Sequence, residues 1–215
     1  MVLDPAVQEV LDAYEKRSAG EHQRWNDLGW DQFIKERDQY LLAVGPATGF
    51  FMNLLIKEAK SRTILEIGTS YGYSTVWLAE AARATGGKVI TLELQANKQQ
   101  YAREQLTRAG LEEFVDFRPG DARESLAKLH GSVDFVLLDL WKDLYIFCFD
   151  LFYPKLSPGV LVVADNMTFP ESAQAHAQVY RKHVRSTPDI QSMLLPVGQR
   201  LEVSRCIRGV EAIAV

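Results

Sequence analysis

One stretch limits what this chain can fold into more than any other: Thr63-Ile-Leu-Glu-Ile-Gly-Thr-Ser-Tyr-Gly-Tyr-Ser74. It begins as a short apolar run (Ile64, Leu65, Ile67), turns at Gly68 and passes through Gly72 into a helical pattern. Strand, glycine turn and helix in that order is how an open parallel sheet forms a nucleotide-sized crevice at the carboxyl ends of its strands. Gly68 permits a positive φ, or close approach of a ligand, because no Cβ stands in the way. The glycines are spaced G-x-x-x-G, not the G-x-G-x-x-G that brings a pyrophosphate onto a helix N-terminus. Glu66, just before the turn, would repel phosphates and favour a cation. The stretch reads as the site of an adenosine ligand with positive charge and no phosphate, and S-adenosylmethionine fits. A glycine turn that only packs a helix on a sheet is the competing reading.

Around this stretch the pattern divides the chain. Before it, Asp4-Pro5 reads as an N-cap with proline at the first helical position. Val7, Val10, Leu11 and Tyr14 then form one apolar helical stripe. Residues 18–31 are polar, with Trp25 and Trp30 interspersed, and a second helical stretch ends near Leu42. Val44–Gly49 reads as a break, followed by an apolar helix from Phe50 to Ala59. With no strand pattern there, residues 1–60 are expected to be a helical cover on a core of residues 61–215, in one compact unit.

From Thr63 onward, apolar runs recur at 63–67, 88–92, 114–117, 133–138 and 160–164, separated by helical segments. Near-continuous apolar strands alternating with helices imply a parallel sheet covered on both faces. The end of the chain differs: Ile190–Val197 and Arg200–Ile207 meet across Gly198-Gln199 as a hairpin. Pro196 has no N–H to donate, which places its strand at a sheet edge. The expected architecture is therefore α/β: a mostly parallel, seven-stranded, Rossmann-like sheet with a C-terminal antiparallel hairpin and helices on both faces.

At 215 residues the chain can bury a substantial core. A formal charge of −4 gives no support to a nucleic-acid-binding face. No run approaches the ~18 apolar residues of a membrane span, and the first residues lack the pattern of a signal peptide. Cys148 and Cys206 make no C-x-x-C and sit in apolar surroundings, which suits free thiols in a cytoplasmic protein.

The chemistry-bearing residues cluster at strand ends. Glu93 closes the second strand, where doubly wound folds place an acid against ribose hydroxyls. Gly120-Asp121-Ala122 follows the third strand; Ala122 there could meet the adenine through its backbone, or Asp121 could simply cap a helix. The fourth strand runs into Asp139-Leu-Trp-Lys142 and the fifth into Asp165-Asn166. Adjacent strands thus deliver Asp139, Asp165 and Asn166 to one rim. Three hard oxygen donors describe a Mg²⁺ site better than a zinc site; unrelated strand-end caps are the plainer alternative. Lys142 is either a base with a lowered pKa or a solvated surface charge. Trp141, Tyr145, Phe169 and Pro170 are candidate walls for an aromatic substrate, or ordinary packing.

Taken together, Ile64–Leu78, Leu138–Tyr145 and Gly159–Asn166 resemble the cation-dependent O-methyltransferases, nearest to the catechol type and further from the caffeoyl-CoA type. The likeness runs over roughly residues 40 to 207. It implies Asp139, Asp165 and Asn166 as ligands of Mg²⁺, or of Mn²⁺ or Ca²⁺, and Lys142 as general base. It implies S-adenosylmethionine contacts at Val44, Glu66, Ser74, Glu93, Ala122, Asp139 and Trp141; Gly68, Tyr71 and Gly72 of the glycine turn are expected to bind the cofactor beside them. Lys142, Asn166, Trp141 and Pro170 would border a small phenolic substrate with vicinal hydroxyls. The chain departs from the catechol enzymes at Leu140, where they have histidine, and near the hairpin, where Leu195 replaces a carboxylate that helps hold the second hydroxyl. Relatives of the bacterial and plant type often pair through helical faces, so the resemblance admits a homodimer. The rivals are an NAD-dependent oxidoreductase, which the glycine spacing and Glu66 oppose, and a methyltransferase-like binding protein without turnover.

Overall fold

The computed structural model describes residues 2–28, 32, 35–168 and 173–209. Five strands pair in parallel: β1 (Thr63–Ile67), β2 (Lys88–Glu93), β3 (Val115–Pro119), β4 (Val133–Leu138) and β5 (Leu156–Ala164). Two more, β6 (Ile190–Leu195) and β7 (Leu201–Cys206), join antiparallel, giving the order β3-β2-β1-β4-β5-β7-β6. The expected seven-stranded, Rossmann-like α/β sheet is what the chain forms.

Side-chain alternation along the strands builds two cores. Ile64, Phe135, Leu137 and Val163 enter one, shared with α1 (Pro5–Leu28), α2 (Pro46–Ala59), α3 (Tyr73–Thr85) and α4 (Ala96–Arg108). Leu65, Ile67, Val136, Leu138, Val162 and Ala164 enter the other, with α5 (Ala122–Ala127), α6 (Tyr145–Phe152) and α7 (Gln174–Ser186). Each buried Val, Leu, Ile or Phe side chain among them contributes about 1.5–3 kcal/mol over leaving it in water. β1 and β4 are neighbours, yet β1 leads into α3 on one face and β4 into α6 on the other. That divergence opens a crevice at their carboxyl ends.

Three local expectations need correction. α1 runs unbroken from Pro5 to Leu28, so the polar residues 18–28 belong to the first helix and not to an interval between two helices. The second helical stretch lies partly outside the described residues; its described end is a 3-10 turn at Arg37–Gln39. The break before α2 ends at Gly45, at φ 81°, because Pro46 suits the first helical position and starts the helix four residues before Phe50. The hairpin loop also takes in Pro196–Arg200, with Gly198 and Arg200 both at positive φ, and not Gly198-Gln199 alone. β6 is an edge strand, as Pro196 required, although Pro196 itself lies just beyond it. Cys148 and Cys206 are free and buried. Among the described residues no helix is long and apolar enough to cross a membrane.

Candidate active site at the carboxyl ends of β1, β4 and β5

The glycine turn is fixed by the strands beside it. Gly68 lies at φ 108°, and a Cβ there would stand 2.0 Å from the Asp139 carbonyl oxygen. The close approach is thus to the end of β4. Gly68 and Thr69 donate their N–H groups to Leu92 O at 3.0 and 3.1 Å, and Asp139 N–H donates to Ile67 O at 2.9 Å. Gly72, at φ 94°, caps α3, and a Cβ on it would reach 2.6 Å from Ala102 Cβ on α4. Tyr71 faces the N-terminal segment: its hydroxyl donates to Asp38 O at 3.1 Å, and the Arg17 guanidinium lies 4.4 Å from its ring centre.

Glu66 is fully buried beneath this turn. Ser74 and Thr75 donate their hydroxyls to its two oxygens at 2.6 Å each, and Thr91 donates at 2.5 Å. Burial nevertheless pushes its pKa up to about 7, with the Asp139 charge adding to the effect against the three donors. Glu93 is tethered to the turn, accepting from Ser70 N at 2.8 Å and Gln95 N at 3.0 Å. A carboxylate has about four acceptor sites, so lone pairs remain for ligand hydroxyls. At α5, Asp121 is the cap, accepting from Arg123 N at 2.8 Å, and Ala122 is the first helical residue. Val44 is buried in the core under the loop ahead of α2.

The acidic residues gather one strand further on. Asp165 is fully buried and both its carboxylate oxygens lack a hydrogen-bond partner. Asp139 presents Oδ1 at 3.8 Å from Lys142 Nζ. Lys142 is itself mostly buried and donates to the Tyr145 hydroxyl at 2.6 Å, which donates in turn to the Asp165 backbone oxygen at 3.2 Å. Burial dominates for all three charged groups. It raises the pKa of Asp139, and raises that of Asp165 to about 8, the Asp139 charge adding and Lys142 opposing. It lowers the pKa of Lys142 against the pull of both aspartates. Buried carboxylate oxygens without donors are costly unless something positive faces them. The donor chemistry fits a hard divalent cation, with the amide of Asn166, held at φ 56° just after β5, as a third oxygen. Among the described residues no three His, Cys, Asp or Glu side chains converge on one point, so such an ion would rest on two carboxylates and that amide.

Trp141 stands at the rim, 47% exposed. Over its ring, 4.6 Å from the centre, lies the guanidinium of Arg37, whose Nε is buried without a partner. A cation over an exposed ring contributes about 0.5–1 kcal/mol, while a buried donor without an acceptor costs about 1–3 kcal/mol. The stack alone does not offset the loss. Sequence reasoning passed over Arg37, because nothing in the chain pattern links residue 37 to residue 141. Tyr145 was assigned as a possible substrate wall; it is fully buried and instead anchors Lys142. Its spacing of three from Lys142 within one turn of 3-10 helix was the available signal. Phe169 and Pro170 lie outside the described residues. A separate cavity of about 340 Å³, lined by Arg62, Lys88, Arg103 and Phe117, opens at the amino ends of β1–β3, opposite the crevice.

Comparison with known proteins bears on the family of the chain. A sequence profile described as O-methyltransferase matches residues 15–207. The chain is 36% identical to a catechol O-methyltransferase of Niastella koreensis over 62% of each chain. It is 35% identical to one of Mycobacterium tuberculosis, over 59% of this chain and 57% of that one. These matches therefore span about three-fifths of the two relatives' length. A caffeoyl-CoA O-methyltransferase of Populus trichocarpa is 29% identical over 74% of this chain and 73% of its own. Among solved structures, an O-methyltransferase from Bacillus cereus in complex with SAH superposes with a TM-score of 0.74 at 25% identity, covering 96% of this chain and 92% of that one. With the profile spanning nearly all of its length, the chain belongs to the O-methyltransferase family.

Proposed function

We propose that this protein transfers the methyl group of S-adenosylmethionine to one hydroxyl of a small vicinal diphenol, with Mg²⁺ or a similar divalent cation at Asp139, Asp165 and Asn166. The observation that carries the reading is the buried Asp165 carboxylate, both oxygens unpartnered, beside Asp139 and Lys142 at two neighbouring strand ends. The similarity to catechol O-methyltransferases supports the diphenol, and the solved relative in complex with SAH supports the methyl donor. Family membership leaves the NAD-dependent alternative without support.

When bound, the ion supplies Lewis-acid polarisation of a coordinated hydroxyl. Lys142 takes the hydroxyl proton at Nζ: Tyr145 fixes that atom and burial favours its neutral form. Glu66 and Asp139 offer negative charge to the sulfonium side of the cofactor, Glu93 accepts from the ribose, and Val44, Ser74 and Ala122 line the pocket. Gly68, Tyr71 and Gly72 keep the turn in shape. Trp141, with Asn166, borders the substrate ring. Holding nucleophile and methyl group in line would supply on the order of 7–11 kcal/mol of the barrier reduction in the best-oriented cases.

Lys142→Ala tests the assignment. Loss of a positioned base should lower turnover on a diphenol by roughly 10²–10⁴-fold, while the thermal shift produced by S-adenosylhomocysteine stays at the wild-type value. Turnover at the wild-type rate would remove Lys142 from the chemistry.

A further inference from the structure

We infer that Arg37 is a specificity residue that binds a carboxylate carried by the methyl acceptor, so that the preferred substrate is a diphenolic acid and not a neutral diphenol. The inference rests on the diphenol reading above and narrows it. Arg37 lies on the face of Trp141, the residue immediately before Lys142 and two beyond Asp139, at the mouth of the site. Its guanidinium forms no ion pair with any described residue, and its buried Nε has no acceptor.

The acids beside it in the chain are already engaged: Glu36 with Arg24 at 3.1 Å and Asp38 with Lys98 at 3.2 Å. The backbone that carries Arg37 is held in place from several directions. Tyr71 donates its hydroxyl to Asp38 O, Ser70 donates to Leu41 O at 3.2 Å, and Leu41 N–H donates to Glu21 at 2.8 Å. A guanidinium is planar and presents its N–H groups as a fork that matches a carboxylate in two parallel bonds. Stacking on the indole engages the face of the guanidinium, and its N–H groups lie in the plane, at the edge. The vicinal hydroxyls of the proposed acceptor are directed inward, to Lys142 and the aspartates, so a carboxylate on the far side of its ring is directed outward, to the rim where Arg37 stands.

The test compares 3,4-dihydroxybenzoate with its neutral amide, 3,4-dihydroxybenzamide, on wild type, Arg37→Ala and Arg37→Lys. Calorimetric binding is measured in the presence of S-adenosylhomocysteine and Mg²⁺, and kcat/KM with S-adenosylmethionine. Wild type should favour the acid by about tenfold or more, as expected for a charge-assisted pair. Arg37→Ala should erase that preference and leave the amide within about twofold, and Arg37→Lys should restore part of it. Equal losses on both compounds would mean that Arg37 only props Trp141, and would overturn the inference, as would an acid preference that survives in Arg37→Ala or binding of neither compound. Arg37-dependent binding of the acid without methyl transfer to either compound would sustain this site and refute diphenol methylation.

Discussion

Glu66 is the residue in which burial and ligand chemistry meet most plainly. Three hydroxyls point at it, which favours the carboxylate, yet exclusion from water holds its pKa at about 7. A folded-state pKa above the unfolded value of about 4.3 means the fold binds more protons than the open chain across that interval. The resulting stabilisation is full below about pH 4.3 and is lost as pH rises through about 7. Ligand-free protein should thus melt at a falling temperature from pH 5 to pH 8, and Glu66→Gln should flatten part of that slope. An unchanged slope would mean that Glu66 is ionised throughout. The sequence showed Glu66 before the turn and suggested attraction for a cation. It gave no sign of Ser74, Thr75 and Thr91 closing around it, since those contacts depend on α3 and β2 meeting over β1.

At the level of elements, strand, turn and helix form one clamped unit. A methyl group on Gly68 would meet the Asp139 carbonyl at 2.0 Å, whereas one on Gly120, at the comparable φ of 124°, would meet nothing within 4 Å. Both alanine variants strain the backbone by about 1–3 kcal/mol, and only Gly68→Ala adds overpacking of a further ~1–3 kcal/mol. Urea unfolding should therefore show Gly68→Ala distinctly less stable than Gly120→Ala; equal losses would mean that the β4 terminus yields freely. The strands were legible because fully buried parallel strands read as apolar runs, and Pro196 correctly marked β6 as an edge. The start of α2 was misplaced because Gly45-Pro46 resembles a break, although proline there opens the helix. α1 was cut short because the apolar stripe of Val7, Val10, Leu11 and Tyr14 does not continue through the polar residues 18–28.

Across the whole molecule, the sheet order brings Asp139 and Asp165 to adjacent strand tips, as two acids after two consecutive strands implied. The long-range partners were not legible: Arg37 reaches Trp141 only because the N-terminal segment folds back over the crevice, and no local pattern encodes that return. Tyr145 stood inside the motif, yet its task as the anchor of Lys142 depends on the Asp165 backbone beyond β5. The same convergence leaves the partly exposed Asp139, the buried Asp165 and the buried Lys142 amine at one rim with both Asp165 oxygens unpartnered, an arrangement that a divalent cation would complete. The most direct measurement is methyl transfer from S-adenosylmethionine to a vicinal diphenol by the intact protein, first with Mg²⁺, then with EDTA, then with Mg²⁺ restored in excess. Product should form, nearly cease under chelation and return with the ion; an undiminished rate in EDTA would contradict the cation-assisted site.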